Sequence, residues 1–160
     1  SGVLAILYPR LQKSTVNVDW PELKIEFQVL GDLLRLEQVM VNLIGNAMQA
    51  VESLALDNNR AAEITITQSL QGVDKLLIKV RDNGPGIAEN NLENIFEPFF
   101  TTKKEGQGLG LGLSISERII EDLGGELIAE NYYDGDDQRV IAGAEFSVLL
   151  QIGTAIGSLS

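Results

Sequence analysis

Apolar residues recur along the chain with two periods, and the switches between them outline the elements. Over Leu33–Leu54, residues Leu36, Val39, Met40, Leu43, Ala47, Ala50, Val51 and Leu54 follow steps of three and four, which predicts a long amphipathic helix with Asp32 as its N-cap. A second helix is expected over Leu113–Leu123, stopped by Gly124-Gly125, because glycine supplies the left-handed backbone that ends a helix. Shorter helices are expected over Val3–Lys13, from Leu4, Leu7 and Leu11, and over Glu89–Phe96. Elsewhere the period falls to two. Val16–Asp19, Lys24–Leu30, Glu63–Leu70, Lys75–Asp82, Glu126–Tyr133 and Ala144–Ile152 read as strands. The turn Gln71–Asp74 joins one pair into a hairpin, and the acidic turn Asp134–Asp137 joins another. Glu97–Gly112 reads as a long loop. The order predicts an α+β fold, with helices on one face of a mixed or antiparallel sheet. Residues 1–152 form the expected domain, and 153–160 a loose tail without periodicity.

Composition narrows the chemistry. The 160 residues hold no cysteine and no histidine, which excludes a thiol nucleophile, a thiolate zinc site, an imidazole base and a Ser-His-Asp triad within the chain. Lys and Arg number 12 against 23 Asp and Glu, a net charge of −11, so a nucleic-acid binder is not expected. The apolar run near the start, Val3–Tyr8, has six residues where a membrane span needs roughly 20, and no signal-peptide pattern is present, so the domain itself is expected to make no membrane contact. Any phosphate site must be local, built from a few lysines, backbone N–H groups or a metal.

Three constellations break the simple pattern. Asn42 and Asn46 lie four residues apart on the long helix, at the border of its apolar stripe. Two amides there cost helix propensity, and the bland reading is a pair of surface amides; their oxygens are also suited to a hard cation such as Mg²⁺. Asp82 ends a strand on the parity of Leu76, Ile78 and Val80, the inward one. A carboxylate there needs donors, either from its own turn or from a ligand amino group. Gly84 and Gly86 follow, leaving the backbone open to close approach. Third, glycine takes every second position from Gly106 to Gly112, with Leu109 and Leu111 interleaved, and runs into a helix start. That is neither a Walker A loop nor a dinucleotide fingerprint, yet N–H groups freed at a helix start cradle anions. Thr101, Thr102, Lys103 and Lys104 lie just upstream.

Together, and in this order, the segments resemble one family. Arg35–Ala50, with its Val-Asn-Leu-Ile-Gly-Asn-Ala core, resembles the N box of sensor histidine kinases. Asp82-Asn-Gly-Pro-Gly-Ile87 resembles their first glycine box, Ile95-Phe-Glu-Pro-Phe-Phe-Thr-Thr-Lys103 their F box, and Gly106–Ser114 their second glycine box. The wording is nearest the nitrogen-regulation and dicarboxylate-transport sensor kinases. The resemblance implies the catalytic ATP-binding domain of the GHKL or Bergerat fold, a two-layer α/β sandwich. It implies Mg²⁺ on Asn46, and Asn42 on the phosphate side. Asp82 would accept from the adenine amino group, with Gly84, Gly86 and Ile87 around the base. Phe96 and Phe99 would anchor a lid. Thr101, Thr102 and Lys103 would face the phosphates, Lys103 and Asn42 acting in transfer. Gly108, Leu109, Gly110, Leu111 and Gly112 would hold the phosphate chain.

The implied activity is transfer of the γ-phosphate of ATP to a histidine on a separate dimerisation domain, upstream of a response regulator, in a cytoplasmic domain of an inner-membrane protein. With no histidine of its own, the chain is expected to be the ATP half of such a kinase. Many sensor kinases carry a basic residue three positions after the magnesium Asn. Here that residue is Gln49, which shifts neutralisation onto Mg²⁺ and the lid lysines. The related ATPases place a Glu four residues before that Asn to activate water; here it is Asn42, a poor base. An ATPase, or a nucleotide-sensing module without transfer, are the alternatives.

Overall fold

The computed structural model describes residues 17–19, 30–57, 61–72, 74–100, 112–137 and 139–151. In chain order these form β1 (Asn17–Asp19), α1 (Leu30–Asp57), β2 (Glu63–Gln71), β3 (Lys75–Asp82), α2 (Glu89–Leu92), α3 (Gly112–Asp122), β4 (Glu126–Tyr133) and β5 (Ile141–Gln151). The strands make one mixed sheet in the order β1-β2-β3-β5-β4, parallel between β1 and β2 and antiparallel elsewhere. Both expected hairpins form. The architecture is the expected α+β sandwich, with α1 and α3 packed together and against the sheet.

Alternation explains why one face takes the helices. Ile64 and Ile66 of β2, Leu76, Ile78 and Val80 of β3, Leu127 of β4, and Phe146, Val148 and Leu150 of β5 are buried in a single core. They meet Leu36, Val39, Met40, Leu43, Ile44, Ala47, Met48 and Val51 of α1 and Ile120 of α3. Removing one such side chain, as in Leu43→Ala, costs about 2–5 kcal/mol, because the neighbours cannot fully close the cavity. Residues of the opposite parity carry charge. Glu145 receives Arg81 Nε at 2.8 Å and Nη2 at 2.7 Å, and Lys79 Nζ at 3.3 Å. The Arg81 guanidinium also lies 4.2 Å from the centre of the Tyr132 ring.

Several boundaries differ from expectation, each for a local reason. α1 starts at Leu30, so Asp32 is not the N-cap but an acid of the first turn, where the helix dipole still favours it. The apolar stripe also includes Ile44 and Met48 and is wider than the expected set. The helix expected over Glu89–Phe96 is one turn, Glu89–Leu92. Asn90, Asn91 and Asn94 favour local turns, and the chain continues in bonds from Asn94 N–H to Asn91 C=O and from Glu97 N–H to Asn94 C=O. β5 begins at Ile141, three residues before the expected start, because Gly143 serves inside the sheet rather than breaking it. At the end of α3, Gly124 takes φ +80° and Gly125 N–H bonds to Ile120 C=O at 2.8 Å, the expected glycine stop. The expected helix Val3–Lys13 and tail Gly153–Ser160 lie outside the described residues. So does the expected strand Lys24–Leu30, except for Leu30, which is helical.

Candidate functional site

The C-terminal end of β3 brings the first group of expected residues together. Asp82 is 3% exposed, the last inward residue of its strand. Its carboxylate accepts from Gly84 N–H at 2.9 Å and from the Ala144 backbone. Burial pushes its pKa up to about 6, and the two backbone bonds offset this only in part. A carboxylate held ionised at neutral pH without a cation among these donors is poised to accept another N–H. Gly84 packs against α1, where a Cβ would stand 3.0 Å from both Ala50 Cβ and Ala50 O and 2.8 Å from Asp82 Oδ1. Gly86 has φ +77°, and a Cβ there would collide with Ile141 and lie 2.9 Å from Asn131 Oδ1. At both glycines the close neighbour is the protein itself, α1 at Gly84 and Ile141 with Asn131 at Gly86.

The second group lies along the same helix. Asn42 and Asn46 are half-buried, one turn apart, and Ala50 follows after another turn. From Asn42 to Ala50 the helix rises about 12 Å, so α1 connects the two ends of the site. Asn42 Nδ2 donates to Ser116 Oγ at 3.0 Å, and Ser116 is buried in α3. Gly112, the first residue of α3, faces the other end of that amide: a Cβ there would stand 2.5 Å from Asn42 Oδ1. The helix start expected to receive phosphate oxygens is thus pressed against α1. Phe96 packs on the core, edge-on to Phe146 at 6.5 Å between ring centres. Phe99 has φ +66° and is 71% exposed, and the lid segment it is expected to anchor lies outside the described residues. Thr101, Thr102, Lys103, Gly108, Leu109, Gly110 and Leu111 lie outside the described residues.

Residues 31–153 match the family of histidine kinase-, DNA gyrase B- and HSP90-like ATPases. The chain belongs to that family. Among curated proteins it is similar to the two-component sensor PprA of Pseudomonas aeruginosa, 38% identical over 84% of this chain and 14% of that protein. It is similar also to the C4-dicarboxylate transport sensor protein DctB of Rhizobium meliloti, 36% identical over 81% of this chain and 20% of that protein. The chain thus spans a fifth or less of the length of these two relatives. Among solved structures, the catalytic domain of histidine kinase ThkA superposes with a TM-score of 0.69 at 31% identity, covering 94% of this chain and 89% of that one. The complex of ThkA with the response regulator protein TrrA gives 0.65 at 29%, covering 94% and 38%.

Within this family frame, three site residues were missed by sequence reasoning. Asn83 ties the start of the loop to β2: its Oδ1 accepts from Glu63 N–H and its Nδ2 donates to Ala61 C=O, both at 2.8 Å. Asn131 ties the end of the loop to β4, accepting from Ile87 N–H at 2.8 Å and donating to Ile87 C=O at 2.6 Å. Tyr132 donates to Asp82 C=O at 2.9 Å, over Gly143, where a Cβ would collide with that carbonyl. Asn131 carried one available signal, an amide on the inward parity of β4. Its partner, 44 residues away, carried none.

Among the described residues, no helix is long and apolar enough to cross a membrane. Nor do they contain a group of three or more acidic, histidine or cysteine side chains that could hold a metal ion.

Proposed function

We propose that the chain binds Mg-ATP and donates its γ-phosphate to a histidine on a separate dimerisation domain, as the catalytic part of a two-component sensor kinase. The buried Asp82 carboxylate carries the reading. It takes backbone N–H bonds from Gly84 and Ala144, its pKa is pushed up to about 6 by burial, and it sits beside glycines at the loop's close approaches. An exocyclic amino group of adenine is the complementary donor.

In this reading the adenine lies near Asp82, Gly84, Gly86 and Ile87, and the phosphates run along α1 toward Asn42 and the start of α3. Asn46 is the side chain that would hold Mg²⁺, through a neutral amide oxygen. When bound, the ion would neutralise charge on the phosphates. The donor chemistry fits a hard cation: Asn42 and Asn46 are neutral amides one turn apart, and the Asn42 amide lies where α1 meets the start of α3. Lys103, Thr101, Thr102 and the stretch Gly108–Leu111 would complete the phosphate cradle. In the transfer, the bond from the γ-phosphorus to the β–γ bridging oxygen breaks as one forms to the imidazole nitrogen, and ADP leaves. Asn42 favours transfer over hydrolysis. Its amide cannot take a proton from water, and one of its two N–H groups goes to Ser116.

The acceptor histidine comes from another chain or another part of the parent, since these residues have none. A response regulator would act downstream. The catalytic unit spans residues 1–152, on the cytoplasmic side of a membrane-anchored parent. The test mixes γ-labelled ATP, Mg²⁺, this chain and a histidine-bearing dimerisation fragment from a dicarboxylate-type sensor kinase. Label on the histidine, lost with Asn46→Ala, is the expected result. Steady phosphate release without the fragment would sink the reading in favour of an ATPase. ATP binding with no transfer would sink it in favour of a sensing module.

A further inference from the structure

We infer that Asn131 is a positioning residue of the nucleotide site, fixing the loop that borders the base and so setting how tightly the base is held. The inference rests on the nucleotide-binding reading above and deepens it.

The sheet register supplies the geometry. Ala144 of β5 pairs with Asp82 of β3 on one side and with Asn131 of β4 on the other. The three residues form one row on the helix-facing side, with the small, buried Ala144 between Asp82 and Asn131. Two strand spacings separate the outer members, about 10 Å. Asn131 and the backbone that it holds thus lie on the same side of the sheet as the Asp82 carboxylate.

That backbone has few other anchors. The loop from Asn83 to Ala88 belongs to no strand or helix. Its start is bound through Asn83 and Asp82. Its end is bound at Ile87, where both polar backbone groups go to the one Asn131 amide. An amide that donates and accepts at the same residue fixes position and orientation together, as a strand neighbour would. Gly86 adjoins that amide so closely that no side chain fits between them. Both polar ends of Asn131 bond Ile87, so the effect inferred for it runs through Ile87.

A merely structural bond would weaken folding and lower every ligand affinity alike. A positioning bond separates the base from the phosphates. The test uses the 160-residue chain with three probes by calorimetry or NMR titration: Mg-ATP, adenosine and magnesium tripolyphosphate. For Asn131→Ala, ATP and adenosine binding should weaken about tenfold to a hundredfold, the scale of losing one to two hydrogen bonds. Tripolyphosphate binding should stay within about twofold, and in the transfer assay KM for ATP should rise with kcat kept. Asn131→Ser, which keeps an acceptor for Ile87 N–H, should fall between, and it decides the matter if Asn131→Ala does not fold. Wild-type affinity for ATP and adenosine in the folded variants overturns the inference, as does a parallel loss of tripolyphosphate. If the unaltered chain binds no Mg-ATP, it is the nucleotide reading itself that fails, and that result is distinct from both.

Discussion

The two ends of the proposed nucleotide site are built on opposite plans. At the base end, four strands converge on one short loop. Asn83 reaches to β2, Asn131 reaches in from β4, Tyr132 caps Asp82 C=O, and Gly143 of β5 lets that carbonyl approach. At the proposed phosphate end, two helices meet where Asn42 donates to Ser116, with Gly112 against the amide. The difference follows the ligand. A base is a rigid plate with few polar atoms in fixed places, so its wall must be preformed. A phosphate chain offers many equivalent oxygens, and charge and N–H groups recognise it without a single fixed shape. Fold and recognition should therefore be inseparable at the base end and separable at the phosphate end.

The strongest test of that contrast is Gly86→Ala. An alanine at φ +77° costs about 1–2 kcal/mol, and forcing its Cβ into Ile141 and the Asn131 amide adds about 1–3, so a loss near 3 kcal/mol is expected. Denaturant unfolding measures it, and ATP affinity should fall with stability. A variant as stable as the parent would show that the base loop is looser than its geometry.

Asp82→Asn comes next and splits two effects at one residue. The carboxylate pKa stands at about 6 instead of 3.8, so the folded protein holds its proton more tightly than the unfolded chain. That makes the folded state most favoured by this group below about pH 4. Stability falls as pH rises from 4 to 6, and the full cost, about 3 kcal/mol, persists above pH 6. Asparagine removes the charge but brings an N–H₂ that needs an acceptor, at about 1–3 kcal/mol. A net gain of about 1 kcal/mol is expected at pH 8, turning into a net loss of about 1–2 kcal/mol near pH 4, while ATP affinity at pH 8 falls at least about tenfold. Thermal unfolding across pH checks the first part and calorimetry the second. A destabilised variant with no pH trend would mean that burial does not strain Asp82.

The same contrast governs what the sequence disclosed. Strands, both hairpins, α1 and α3 were legible because the periods of 2 and 3.6 residues are set by burial alone, and Asp82 stood out by its parity. The N-terminus of α1 was not, since Asp32 has the chemistry of a cap and also of a first turn. The short α2 was lost to asparagines that prefer local turns. Asn42 and Asn46 were found as helix oddities, but the bond to Ser116 spans 74 residues and leaves no local trace. The base end hid more. Asn83, Asn131 and Tyr132 act through backbone groups, which every residue possesses, so nothing in the identity of their partners marks the pairing.

Gly112→Ala is expected to have the smallest effect on folding, and for that reason it is the sharper probe of the phosphate end. Its Cβ would meet Asn42 Oδ1 at 2.5 Å, an atom at the tip of a side chain that can rotate away. The cost of that rotation, about 1 kcal/mol, is offset by the better helix propensity of alanine, about 1 kcal/mol over glycine. Stability should change by less than about 1 kcal/mol. Yet the displaced amide is the one placed on the phosphate side, so Mg-ATP and magnesium tripolyphosphate should bind several-fold more weakly while adenosine binds as before. A large loss of stability, or a loss of adenosine in step with tripolyphosphate, would show that the two ends are coupled through α1. The helix that joins them would then act as a rigid strut rather than as a shared wall.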